Sequence, residues 1–180
     1  MKKLLGILSL VLASLVMGNA YAALPEITEP VFEKGDLVGS LTIGYGWGFS
    51  QRLALEYAVA DGKEPKHSFD TSIPRWTSWP KLGEEQIVEL KLRKSQTVES
   101  ISVYWYDDKG GVQLPVEWSA EYLSGAEWHK FTPYITDSFG VAKDQYNVVH
   151  PAHDVKADAV RLRIKPKADA AVGILEAKIE

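Results

Sequence analysis

The feature that most constrains this chain is apolar alternation with a period of two, repeated in short runs with no long amphipathic helical pattern between them. Over residues 87–93, Val88, Leu90 and Leu92 fall on one face and Glu89, Lys91 and Arg93 on the other. Over 98–106, Ile101, Val103 and Trp105 share a face opposite Ser102, Tyr104 and Tyr106. Such runs are half-buried strands. Residues 115–123 place Val116, Trp118, Ala120 and Tyr122 in register, and further strands are predicted over 145–149, 159–164 and 173–179. Asp107-Asp108-Lys109-Gly110-Gly111 and Ser124-Gly125 are turn signals, because Asp and Gly tolerate positive φ. Short strands at this spacing predict a β-sandwich, with Trp105 and Trp118 in its core.

The first residues carry a different pattern. Lys2 and Lys3 precede an apolar stretch over 4–16, and Ala20-Tyr21-Ala22 follows as a small-x-small cleavage site. Residues 1–22 are therefore expected to be a cleaved signal peptide, since the apolar stretch is shorter than the roughly 20 residues of a spanning helix. The expected destination is the periplasm or the exterior, with no membrane insertion after cleavage. Residues 23–36, rich in Pro and Glu, read as a linker or N-terminal arm, and 37–180 as the β-sandwich domain. The chain has no Cys, so an exported domain of this kind must be held by packing rather than by disulfides. Its 20 Lys and Arg stand against 24 Asp and Glu, and two of the lysines leave with the signal. That acidity argues against nucleic acid or an anionic membrane surface as the partner.

Three stretches are less regular. Leu41, Ile43 and Tyr45 alternate as a strand that Gly44, Gly46 and Gly48 then loosen. Residues 51–60 fit a short helix or a strand, with Leu53, Leu55 and Tyr57 alternating. Residues 61–83 carry three prolines and several turn formers. Irregular loops of that length are uncommon unless they bind something, so function is sought there first.

Several blocks resemble the galactose-binding-like β-sandwich domains of carbohydrate-binding modules and discoidin-type proteins. They are Asp61-Gly62 with Glu64-Pro65, Ser72-Ile73-Pro74-Arg75-Trp76, and Val103-Tyr104-Trp105-Tyr106-Asp107-Asp108. Leu114-Pro115 with Trp118, Gly140-Val141-Ala142-Lys143-Asp144 and Gly173-Ile174-Leu175-Glu176 complete the order. The pattern is most similar to the accessory domain of bacterial β-L-arabinofuranosidase-type glycoside hydrolases. The resemblance implies an all-β jelly-roll sandwich of about eight strands and a non-catalytic, often sugar-binding role. Such domains commonly carry two adjacent tryptophans before the proline, whereas Ser78 precedes Trp79 here. Val112 and Gln113 stand where a Cys is often found.

Sugar recognition needs an exposed aromatic ring beside short polar groups, usually on loops at one end of a sandwich. The 61–83 loop offers Trp76, Trp79, Arg75 and His67, and the 107–111 turn offers Tyr106 and Asp108. The alternative for either loop tryptophan is a lid over the core. The expected partner is a glycan or polysaccharide. The other reading is a protein-interaction or structural sandwich of the cell envelope, docking on a partner enzyme through the same end. The resemblance also implies one structural calcium ion, with Asp61 and Glu176 supplying carboxylates and Asp70 or Thr71 contributing from the loop; otherwise Asp61-Gly62 is an ordinary turn and Glu176 a solvated strand residue. His150-Pro151-Ala152-His153 reads as a surface turn, because Pro151 keeps it out of a helix that would align the two rings. No nucleophile elbow, zinc-hydrolase motif or phosphate loop occurs, so no enzyme is expected.

Overall fold

The computed structural model describes residues 59–180, together with the backbone of a short strand at 37–39. The expected signal peptide at 1–22, the arm at 23–36, the strand around 41–45 and most of the 51–60 segment lie outside the described residues.

Two antiparallel sheets face each other. The larger contains β1 (Leu37–Gly39), β3 (Gln86–Thr97), β8 (Lys156–Lys165), β5 (Glu117–Ser124) and β6 (Glu127–Lys130), in that spatial order. The smaller contains β2 (Trp76–Thr77), β9 (Gly173–Ile179), β4 (Ile101–Tyr106) and β7 (Tyr146–Val149). No helix occurs among the described residues.

The alternation dictates which faces meet. Val88, Leu90, Trp118, Ala120, Leu162 and Ile164 from the larger sheet pack against Ile101, Val103, Trp105, Ile174 and Ala177 from the smaller. Opposite faces of β3, β5 and β8 carry charge, where Glu121 bonds to both Arg161 and Arg163. Val116 departs from the expected register: β5 starts at Glu117, and Val116 before it is exposed. β3 and β8 run longer than alternation alone predicts, and their ladder breaks between Lys91 and Gln96, which hides the continuation from a period-two reading.

A second, smaller core lies on the outer face of the smaller sheet. Tyr104, Tyr106, Val112, Ala171 and Leu175 cluster there, and Ile73 and Tyr146 pack on them. All six residues of β4 are therefore buried, on both faces. The loop predicted to be wholly irregular thus covers a sheet face, and within it Trp76 and Thr77 pair with Ile174 and Gly173 as β2.

The fold makes one simple demand on stability. Leu162 is 0% exposed between the sheets, whereas Ile87, one strand away on the outer face, is 38% exposed. Leu162→Ala is expected to lower unfolding free energy by about 2–5 kcal/mol, and Ile87→Ala by less than about 1 kcal/mol, both read from urea denaturation midpoints.

Candidate ligand-binding site

At the end of the smaller sheet where β4 finishes and β9 begins, Tyr106 and Thr77 both pair with Gly173. The loop leading through β2 and the 107–111 turn meet there around an open pocket of about 580 Å³. Arg75, Trp79, Tyr106 and Asp108 line it, together with Pro74, Thr77, Gly111 and Val112. Four of the six residues proposed from sequence as ligand contacts are thus brought together.

Trp79 is the exposed ring, with 52% of its surface accessible. It rests against Gly111, where an added Cβ would fall 2.6 Å from its ring. The Arg75 guanidinium lies over the buried Tyr106 ring, 4.7 Å from the centroid, and Arg75 lines the pocket beside it. Asp108 braces the turn: one carboxylate oxygen accepts the N–H groups of Gly110 at 2.7 Å and Val112 at 2.9 Å. The positive φ of this turn falls on Lys109 rather than on an Asp or Gly, so Gly111 serves the approach of Trp79. The turn is tied down further by an ion pair between Asp107 and Lys143 at 2.6 Å.

Two sequence candidates lie elsewhere. Trp76 is 4% exposed and sits in the main core, paired across to Ile174, so it has no free face for a ligand. His67 stacks on Phe69 at 3.7 Å, and Lys109 covers Phe69 at 3.9 Å, so that pair of rings is occupied by the protein itself. Ser78 also resolves the missing neighbouring tryptophan. Its hydroxyl accepts the Val172 N–H at 3.0 Å and it is buried, so position 78 faces β9 rather than the pocket. Thr77 and Gly111 were missed from sequence: a single threonine carries no signal, and the paired glycines read only as a turn.

The expected calcium residues also divide. β9 carries a bulge, since Tyr104 pairs with Glu176 while Trp105 pairs with Ile174, leaving Leu175 extra. The bulge re-aims the strand and sets Glu176 beneath the 61–64 turn, 2% exposed. Its Oε1 accepts the Gly62 N–H at 3.1 Å, and its Oε2 is buried with no hydrogen-bond partner among the described residues. Burial, reinforced by the nearby Asp61 and Glu64 charges, pushes its carboxyl up to about 8. Asp61 and Glu176 are therefore neighbours. Asp70 is turned inward upon its own loop, accepting from Ser72 and Lys66, and these bonds hold its carboxyl down to about 2. Thr71 is exposed beside that turn. No three Asp, Glu or His side chains converge as a metal cluster among the described residues. His150 instead pairs with Asp137 at 2.7 Å, and His153 is exposed.

No family model and no curated protein matches the sequence. Solved structures do resemble the fold. A structure of the Streptococcus pneumoniae beta-galactosidase BgaA is 19% identical with a TM-score of 0.56, covering 70% of this chain and 86% of its own. CpGH89CBM32-5 from Clostridium perfringens, solved with GalNAc-beta-1,3-galactose, is 15% identical with a TM-score of 0.56, covering 80% and 94%. The CBM32 of AlyQ, solved with 4,5-unsaturated mannuronic acid, is 17% identical with a TM-score of 0.55, covering 81% and 96%. The chain has the galactose-binding-like β-sandwich fold. Within this galactose-binding-like sandwich the pocket is built by the β2 loop and the β4 turn, and the buried carboxylate by the β9 bulge.

The Gly111 contact is testable by itself. Gly111→Ala is expected to displace the Trp79 indole, moving its Nε1–H resonance, while costing less than about 1 kcal/mol, because only a half-exposed ring must give way. Gly83→Ala provides the contrast. Gly83 has φ 68° and a Cβ there would meet the Ala168 carbonyl oxygen at 2.6 Å, so a loss of roughly 1–3 kcal/mol is expected.

Proposed function

We propose that this chain is an exported, non-catalytic glycan-binding module that holds a sugar ring against Trp79 at the end of the sandwich. The observation that carries the reading is a half-exposed tryptophan forming one wall of a pocket that also holds Arg75 and Asp108. A pyranose has one apolar C–H face and a rim of hydroxyls, so it needs a flat ring and planar hydrogen-bonding groups set at an angle to it. Trp79 supplies the first. Arg75 donates and the free oxygen of Asp108 accepts, which together address both polarities of a hydroxyl. The presence of carbohydrate-binding modules among the proteins of like fold supports the same reading. Delivery to the periplasm or the exterior follows from the expected signal peptide, and places the module where polysaccharide is met.

The reading includes one structural calcium ion held by Asp61 and Glu176. Glu176 is a desolvated carboxylate with one unpartnered oxygen beside a second carboxylate, Asp61, which pairs with Lys63 at 2.9 Å; an ion there would engage the unpartnered oxygen, and hard oxygen ligands suit calcium. With only two carboxylates adjacent, backbone carbonyls would supply the balance, as calcium readily accepts. The ion would tie the start of the loop to the last strand, doing for a cysteine-free domain what a disulfide does elsewhere.

Two measurements test these statements. On a glycan array followed by calorimetry, Trp79→Ala is expected to weaken binding of any captured glycan by about tenfold or more, a loss of about 1.4 kcal/mol. Tyr134→Ala, a comparably exposed ring on another loop, should leave it unchanged; equal binding by both variants rejects the site. Calcium at a hundredfold excess over its dissociation constant is expected to raise the melting midpoint by roughly 5–10 °C relative to EGTA. Glu176→Gln should abolish that response, and a wild-type midpoint indifferent to EGTA sinks the calcium site.

A further inference from the structure

Arg75 is the arginine whose charge the described protein leaves unanswered. Arg161 and Arg163 both bond to Glu121, and Arg163 reaches Glu85 as well. Arg75 makes no ion pair among the described residues and lies over the face of Tyr106. It is half-buried, so water only partly repays its charge. The contact with Tyr106 engages a ring face and no hydrogen-bond acceptor, and Arg75 lines the pocket, so its N–H donors remain for a ligand there. A guanidinium matches a carboxylate in two parallel hydrogen bonds, a geometry that a single hydroxyl cannot return.

Asp108 shares the pocket but does not close on Arg75: no ion pair within 4 Å forms between them. The carboxylate and the guanidinium therefore stand apart with space between. Asp108 has already committed one oxygen to the Gly110 and Val112 N–H groups, which offset part of its charge and orient the other oxygen as an acceptor. A neutral sugar would meet both groups through hydroxyls and leave the Arg75 charge uncompensated. A sugar bearing a carboxylate compensates it, offers a hydroxyl to Asp108, and still presents a C–H face to Trp79.

We infer that the pocket selects carboxylated sugars, with the acid group on Arg75, a ring hydroxyl on Asp108 and the apolar ring face on Trp79. This inference rests on the sugar-binding reading and names its ligand class. The other exposed ring cluster offers no rival, because both His67 and Lys109 already lie on Phe69.

The test uses pairs of an acidic sugar and a neutral counterpart: galacturonate with galactose, glucuronate with glucose and mannuronate with mannose, which differ only at C6, and sialyllactose with lactose, which differ by the sialic acid residue. Each is titrated calorimetrically into the purified full chain. In at least one pair the acid is expected to bind ten times more tightly or better, and the pair that shows it separates a uronate from a sialic acid as the source. Arg75→Gln should bring that ratio to within about threefold, and Arg75→Lys should restore part of it. Trp79→Ala should weaken both members of the pair while preserving the ratio, and circular dichroism melts confirm that each variant is folded. Neutral members binding as tightly as their acids in every pair, or a ratio that survives Arg75→Gln, overturns the acidic selectivity and leaves the sugar-binding site standing. Absence of binding by every member of every pair overturns both.

Discussion

The structure turns on one carbonyl oxygen. Trp105 stands on the smaller sheet and Trp118 on the larger, and their rings meet edge to face at 5.6 Å across the core. Each brings an indole N–H into the buried core, and an unpaired donor there costs about 1–3 kcal/mol. Both N–H groups donate to Gly140 O, at 3.3 Å from Trp105 and 2.7 Å from Trp118. The two sheets are thereby required to agree on the position of a single loop atom. Asn147 in β7 then fixes that loop, accepting the Ala142 N–H at 2.7 Å and donating to Ala142 O at 2.9 Å. A sandwich without cysteine obtains cross-sheet registration from this shared acceptor.

The same loop continues to the end of the molecule that holds the pocket. Lys143 pairs with Asp107, and Asp144 exchanges hydrogen bonds with Ser68, accepting its N–H at 2.6 Å and donating its own N–H to the hydroxyl at 2.8 Å. Asp107 N–H in turn donates to Ser68 O at 2.7 Å. The 107–111 turn, the 61–83 loop and the 138–145 loop thus restrain one another, and all three lead back to the Gly140 carbonyl. The pocket wall formed by Trp79 and Asp108 is consequently an extension of the core rather than a free loop, which suits recognition of a rigid ring.

Much of this was legible where local pattern and final environment coincide. Val88, Leu90, Val103, Trp105 and Trp118 announce their burial through alternation, because one sheet face meets another along its whole length. Trp76 and Trp79 could not be told apart locally. Both lie in a proline-rich loop three residues apart, and what buries Trp76 is its pairing with Ile174, nearly a hundred residues later in the sequence. A two-residue strand such as β2 is too short to show any period. The order of motif blocks marked 140–144 without revealing that its task is a carbonyl acceptor. Glu176 was suggested by resemblance, yet its isolation depends on Leu175 being the extra residue of a bulge, and a run such as Gly173-Ile174-Leu175-Glu176 does not declare where a ladder slips. The bonds of Asp70 were hidden for a similar reason: its oxygens accept from Ser72 and Lys66 in a turn that no local period marks.

The division between the two carboxylate sites has a physical logic. Glu176 sits where desolvation is severe and a second acid is adjacent, so its environment raises the cost of its charge. Asp108 sits at the surface with backbone N–H groups on one oxygen, so its environment tolerates a neutral hydroxyl. Arg75 shares the Asp108 pocket without pairing to that carboxylate, and it packs on Tyr106, whose ring is buried in the second core with Leu175 and Val112. That second core is also the surface on which the 61–83 loop is folded down. The Arg75 guanidinium therefore packs on a ring whose position is inherited from β4. Under the proposed carboxylate selectivity, such packing would reduce the ordering cost of binding, and an open pocket would discriminate by charge where its shape alone would not.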